Sequence, residues 1–184
     1  KYSEKIDINE KEKFKEYLNK INKQIKQIEN LVNQFSDFAR MPKPILKDND
    51  LVLIIDENIK LLKELDNKIE FNFYPNNKKI IFNSDYEQLS RVFFNLIKNG
   101  IETIQEKATK NHDYKGKIYI ELYDNSDEIL VTIFDNGMGF GIFTDNIRNI
   151  LNPYFTTKTK GTGLGLAIVN KIINDHNGSI QFKD

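Results

Sequence analysis

The chain has no cysteine. Disulfides and thiolate metal sites are therefore excluded, and a reducing compartment is compatible. Arginine is confined to Arg40, Arg91 and Arg148, so the positive charge is mostly lysine. Lys and Arg together number 27 and are matched by 27 Asp and Glu, giving a formal net charge of +0. That balance gives no electrostatic reason to expect a nucleic-acid partner. No run approaches the roughly 20 consecutive apolar residues that cross a bilayer. The opening residues Lys1-Tyr2-Ser3-Glu4-Lys5 carry neither an initiator Met nor the pattern of a signal peptide. The chain is thus expected to be a soluble piece of something longer. No G-x-x-x-x-G-K-[ST] segment occurs, so a P-loop nucleotide site is not supported. What is present is an apolar share of 39% over 184 residues, enough for one medium domain with an appendage.

Apolar residues recur at Phe14, Leu18, Ile21, Ile25, Ile28, Val32, Phe35 and Ala39, in steps of four and three. This is the heptad seam of a packed helix, widened by Leu31 and Phe38 towards its end. A wider stripe suits a helical bundle, and dimerisation is expected because the chain has no second long heptad helix. The alternative is an ordinary helix packed on its own domain. Met41-Pro42-Lys43-Pro44 ends the helix, because Pro lacks the N–H and restricts the residue before it. Beyond it, spacing predicts a helix over 51–65 and a strand over 69–74, with a short strand possible over 80–82. Ser84-Asp85-Tyr86-Glu87 reads as a capping box opening a helix to about residue 107. Residues 118–123 and 129–134 alternate as two strands of a hairpin across residues 124–127. A short helix is expected near 145–151, a helix over 164–175 and a last short strand over 179–182. Helices and antiparallel strands segregate, so the fold class is α+β.

Three clusters carry chemistry. Asn95 and Asn99 lie four apart on one helix face, and their carboxamide oxygens are hard ligands suited to Mg²⁺. Taken alone, the pair also fits a solvated surface in an Asn-rich chain. Asp135-Asn136-Gly137-Met138-Gly139-Phe140-Gly141 follows a strand directly. Its glycines permit a sharp turn and close approach to a ligand, and Asp135 can accept from an amino group. Asp-Asn-Gly is equally plain turn chemistry. The glycines run G-x-G-x-G with no long helix behind them, so the dinucleotide fingerprint fails. Third, Gly161-Thr162-Gly163-Leu164-Gly165-Leu166 opens a helix. Exposed backbone N–H groups and the helix dipole favour phosphate there, Thr162 adds a hydroxyl, and Lys158 and Lys160 stand just upstream. The alternative is a flexible Gly turn.

In this order the three clusters, with Phe155 between the last two, resemble the N, G1, F and G2 boxes of histidine kinases. These kinases belong to the superfamily of gyrase, Hsp90, histidine kinase and MutL ATPases (GHKL). The run Asn152-Pro153-Tyr154-Phe155-Thr156-Thr157-Lys158 looks like the kinase lid. Phe35-Ser36-Asp37-Phe38-Ala39-Arg40-Met41-Pro42 is similar to the second dimerisation helix of nitrogen-regulation sensors of the NtrY type. The resemblance covers nearly the whole chain. It implies a two-layer α/β sandwich preceded by one long dimerisation helix. Residues 1–42 would be part of the dimerisation and histidine-phosphotransfer region, and residues 43–184 the ATP-binding catalytic domain, trimmed at its C-terminus.

The resemblance also implies ATP and Mg²⁺ as cofactors. Asn99 would ligate the metal, with Asn95 near the phosphates. Asp135 would hold the adenine amino group, with Gly137 in its turn and Gly139 giving room for the base. Phe155, Thr156 and Thr157 would belong to the lid. Gly161, Thr162, Gly163, Leu164 and Gly165 would line the triphosphate, and Lys98 and Lys158 would contact phosphate. Asn95 and Lys98 are the candidate catalytic residues. The implied partners are a response-regulator receiver domain and a second copy of the parent protein. The implied location is cytoplasmic, with the parent anchored in the bacterial inner membrane through regions absent from this chain.

One part of the pattern is missing. His112-Asp113-Tyr114-Lys115 lacks the Pro that follows a phosphoacceptor His and lies in a polar loop, and His176 ends a helix. Neither resembles the nucleophile, so no phosphoacceptor is expected in this chain. Two other readings compete: a serine kinase or other ATPase of the same superfamily, and a dimerisation module with a degenerate nucleotide site. The heptad helix and the Phe155 lid argue against the first. Asn99, Asp135 and the three glycines argue against the second.

Overall fold

The computed structural model describes residues 8–111, 113–125, 127–139, 149–156, 158 and 161–183. The chain divides into two units, Lys1–Met41 and Pro42–Asp184. The element described in the first is α1 (Ile8–Ala39). Its heptad residues Phe14, Leu18, Ile21, Ile25, Ile28, Val32 and Phe35 are all exposed. A single helix has no facing element within its unit to bury such a stripe. Among the described residues, no helix is long and apolar enough to cross a membrane.

The second unit runs β1 (Lys47–Asp50), α2 (Leu51–Leu65), β2 (Glu70–Pro75), β3 (Ile81–Ser84), α3 (Tyr86–Lys110), β4 (Lys117–Asp124), β5 (Ile129–Asp135) and α4 (Gly165–Asp175). β2, β4 and β5 form one sheet in that order, and β1 pairs with β3. On β4 every second residue, Ile118, Ile120 and Leu122, is buried. They face a helical layer that contributes Ile54, Ile55 and Leu62 from α2, Val92 and Ile97 from α3, and Val169 and Ile172 from α4, all nearly inaccessible. Each such side chain contributes about 1.5–3 kcal/mol on burial, so this layer contact dominates the stability of the unit. The buried stripe of α2 includes one amide, Asn58, which donates to Ile54 O at 2.8 Å and Ser90 Oγ at 3.0 Å. Buried amides need such partners.

The structure corrects five details of the sequence reading. β4 is antiparallel to β5 but parallel to β2. A parallel neighbour requires a long crossover, which α3 provides. β1 is a strand of polar residues, Lys47-Asp48-Asn49-Asp50, that gives no periodic signal. It is held by pairing with β3 and by Asn49 donating to Ser84 O at 2.7 Å. Residues 179–182 alternate like a strand but form no regular strand. Of the short helix expected near 145–151, residues 145–148 lie outside the described residues, and 149–151 form one 3₁₀ turn.

The fifth correction concerns the start of α3. Its N-cap is Asp85, whose side chain accepts from Gln88 N at 3.0 Å. The Ser84 hydroxyl instead donates to Phe82 O at 3.2 Å. The helix also runs on to Lys110. The reciprocal bond of a capping box is absent, because Asp85 N donates to His176 Nε2 at 3.0 Å. His176 is buried at the end of α4, with Nδ1 2.8 Å from Ile172 O. Nδ1 therefore donates and Nε2 accepts, which is the neutral ring. This histidine joins the end of α4 to the start of α3. His176→Ala is expected to lower stability by about 1–3 kcal/mol, the cost of an unpaired buried donor, as read by urea denaturation.

Burial raises the Asp85 carboxyl. The backbone N–H groups of Ile45, Gln88 and Glu87 outweigh that and hold it below the usual carboxylate range. A depressed carboxyl stabilises the fold above its unfolded pKa, about 3.9, and that contribution is lost as pH falls through the lower folded value. Acid titration of stability is therefore expected to include a step below about pH 4 that Asp85→Asn removes.

Candidate functional site

One helix links the candidate residues. α3 carries Asn95, Lys98 and Asn99 at its middle and meets different loops at successive turns. Asn95 is half-buried and donates to Arg91 O at 2.9 Å. A Cβ placed on Gly165 would lie 3.5 Å from Asn95 Oδ1, so this Asn stands against the first residue of α4. Lys98 is exposed, 5.8 Å above the Phe94 ring and 4.0 Å from Glu102. Asn99 is half-buried on the same face as Asn95.

One turn further on, α3 reaches the end of β5. A Cβ on Gly100 would lie 3.1 Å from Asp135 Cβ, a close approach that a larger residue would widen. Thr103 Oγ1 and Gly137 N each donate to Asp135 Oδ1 at 2.9 Å. Both donors use one oxygen, and among the described residues no donor is bonded to Oδ2. Gly137 has no room for a side chain: a Cβ there would lie 2.3 Å from Thr103 Oγ1. Gly139 is exposed with φ 65, a left-handed conformation natural to glycine. Thr103 escaped the sequence reading. The available signal was a hydroxyl four residues after Asn99, hence on the same helix face.

The third cluster is clasped by backbone. Tyr154 N donates to Gly163 O at 3.0 Å, and Gly163 has φ 69. Phe155, half-buried, therefore sits beside the glycine segment, its N–H donating to Asn152 O at 3.2 Å. Thr156 is exposed and its Oγ1 accepts from Lys158 N at 3.1 Å, while Gly161 N donates to Lys158 O at 3.1 Å. Thr157, Lys160, Phe140, Gly141 and His112 lie outside the described residues. Leu164 is fully buried and is the N-cap of α4, with no side-chain cap; Leu164 N donates to Thr162 Oγ1 at 3.5 Å. The first N–H groups of α4 have no acceptor within the helix, the arrangement that favours an anion. Lys158 pairs with Glu102, one turn beyond Asn99 on α3. The Lys158 ammonium is thus held by a carboxylate that the sequence reading did not single out.

The donor set fits a hard cation held jointly with phosphate. Among the described residues, no three His, Cys, Asp or Glu side chains gather to bind a metal by themselves. Asn99 offers a carboxamide oxygen on the face shared with Asn95. Mg²⁺ takes few protein ligands and leaves the remainder to water and phosphate oxygens.

Comparison with known proteins adds four findings. The profile of the family described as "Histidine kinase-, DNA gyrase B-, and HSP90-like ATPase" matches residues 84–184. An NtrY-like sensor histidine kinase of Rickettsia felis is 34% identical over 175 residues, 95% of this chain and 28% of that protein. The chain thus spans 28% of the length of that relative. The solved catalytic domain of the histidine kinase ThkA is 31% identical at a TM-score of 0.61, covering 71% of this chain and 81% of that one. ThkA in complex with the response regulator TrrA matches 97% of this chain and 47% of that chain at a TM-score of 0.68; at 24% identity this concerns the fold.

Proposed function

The chain belongs to the histidine kinase-, DNA gyrase B- and HSP90-like ATPases, among the sensor histidine kinases, and from that membership we propose that it binds ATP with Mg²⁺ and directs the γ-phosphate to a histidine outside these residues, for relay to a response-regulator receiver domain. The observation that carries the proposal is α3, which stands against Gly165 at Asn95 and against Asp135 at Gly100 and Thr103. One rigid element thereby joins a phosphate-favouring helix start to a base-reading carboxylate.

In this reading Asp135 Oδ2 accepts from the adenine amino group, and Gly137 and Gly139 keep the turn open to the base. Gly161, Thr162, Gly163, Leu164 and Gly165 surround the triphosphate at the start of α4. Phe155, Thr156 and Thr157 cover it, and Lys98 and Lys158 meet its charge. Asn99 would hold Mg²⁺, with Asn95 beside the phosphates; a bound ion would neutralise phosphate charge. The residues of this chain contribute orientation and electrostatics, which is most of what phosphoryl transfer requires. The exposed stripe of α1 is the surface for dimerisation in the parent protein, and residues 1–42 and 43–184 divide as dimerisation region and catalytic domain. A cytoplasmic location and an inner-membrane anchor elsewhere in the parent complete the reading.

The test supplies this chain with γ-labelled ATP, Mg²⁺ and a separate domain carrying a histidine-bearing dimerisation helix. Acid-labile, base-stable label on that domain, abolished by Asn99→Ala in this chain, is expected. Label on Ser or Thr would overturn the histidine assignment in favour of a serine kinase of the same superfamily.

A further inference from the structure

We propose that Lys107 is a positioning residue for base recognition, holding the turn behind Asp135 so that its free carboxylate oxygen faces the adenine amino group; this rests on the ATP-binding function proposed above. Gly100, Thr103 and Lys107 stand three and four residues apart, so they form one face of α3. All three meet the end of β5 or the turn after it. Gly100 admits Asp135 closely. The Thr103 hydroxyl lies 2.9 Å from both Gly100 O and Asp135 Oδ1, and its single proton favours the charged oxygen. Lys107 Nζ donates to two main-chain carbonyls, Asn136 O and Gly137 O, at 2.8 Å each.

The Lys107 ammonium is thus bound by the main chain of one turn. Here two consecutive carbonyls of one turn converge on it. The Tyr114 ring lies 4.8 Å from Nζ, close enough for a cation–π contact, and the Tyr114 hydroxyl donates to the same Asn136 O. The Asn136 side chain fixes the other side of the turn, accepting from Lys117 N at 2.7 Å and donating to Lys115 O at 3.0 Å. Gly137 N is thereby aimed at Asp135 Oδ1. With Oδ1 occupied by two donors, the rotation of the carboxylate is set and Oδ2 is presented. Without Lys107 the turn loses the donor common to both carbonyls, and the carboxylate loses its fixed orientation before it loses its charge.

A residue needed only for folding would weaken every nucleotide alike, whereas a positioning residue for the amino group changes selectivity. The experiment measures the affinities of ATP and purine riboside triphosphate, which lacks that amino group, in the presence of Mg²⁺. The unaltered chain is expected to favour ATP by about tenfold or more, the worth of a hydrogen bond to a charged group. Lys107→Met is expected to reduce that preference to about threefold or less while purine riboside triphosphate affinity stays nearly unchanged. Tyr114→Phe shifts the ratio the same way by a smaller factor, and it decides the matter if Lys107→Met does not fold. An unchanged ratio in a folded variant overturns the role of Lys107 and leaves the ATP site standing. Absence of saturable binding in the unaltered chain overturns the ATP site and this role with it.

Discussion

Asp135→Asn is expected to weaken ATP binding by roughly ten- to a hundredfold with little change in stability, the loss of a hydrogen bond to a charged acceptor. The substitution keeps the shape that packs against Gly100. Its remaining oxygen can still accept from Thr103 and Gly137, the two donors that hold Asp135 Oδ1 at 2.9 Å. The new Nδ2 then occupies the place of Oδ2, so a donor faces the donor of the adenine amino group. The cost includes repulsion as well as the lost bond. Calorimetric titration with ATP reads the effect, and thermal denaturation confirms that the fold is kept. Unchanged affinity would remove Asp135 from the base-binding end of the site.

Gly163→Ala is expected to be comparably severe for a different reason. Gly163 has φ 69, which costs an alanine about 1–2 kcal/mol. The larger obstacle is steric: a Cβ there would lie 2.4 Å from the Tyr154 carbonyl carbon and 2.8 Å from Phe155 N. Those atoms are backbone and cannot rotate aside. The bond from Tyr154 N to Gly163 O must open, which separates the Phe155 segment from the start of α4. ATP affinity is expected to fall by roughly tenfold or more while the sheet and α2–α3 core remain intact, as read by nucleotide titration beside far-ultraviolet circular dichroism. Wild-type affinity in Gly163→Ala would show that this clasp does not shape the phosphate site.

Much of the fold was legible because it is written in local periodicity. The stripe Leu51, Ile54, Ile55, Ile59 and Leu62 gave α2 its correct ends, and the alternation in 118–123 and 129–134 gave the β4–β5 hairpin. What stayed hidden depends on partners distant in sequence. β1 has no pattern because its four residues are polar and are held by β3, about 35 positions away. The α3 cap moved to Asp85 because Ser84 bonds back to Phe82 and His176 takes the Asp85 N–H from across the domain. Residues 179–182 carry a strand pattern but form no regular strand, and alternation alone does not make one.

The candidate site divides along the same line. Asn95, Asn99, Asp135 and the three glycines were legible because their spacing and residue types carry a chemical meaning. Gly100, Thr103, Lys107, Tyr114 and Glu102 were not. Each acts by touching another site residue, Asp135, the Asn136–Gly137 turn or Lys158, and that contact exists only once α3, β5 and the loops are folded together.

The central claim is that α3 joins a base-reading carboxylate to a phosphate-binding helix start in one Mg²⁺–ATP site. It is tested most directly by titrating this chain with a fluorescent ATP analogue, with and without Mg²⁺, and displacing it with unlabelled ATP and GTP. The account predicts saturable binding that Mg²⁺ strengthens and that ATP displaces at least about tenfold better than GTP. No saturable binding, or equal displacement by the two nucleotides, would contradict it.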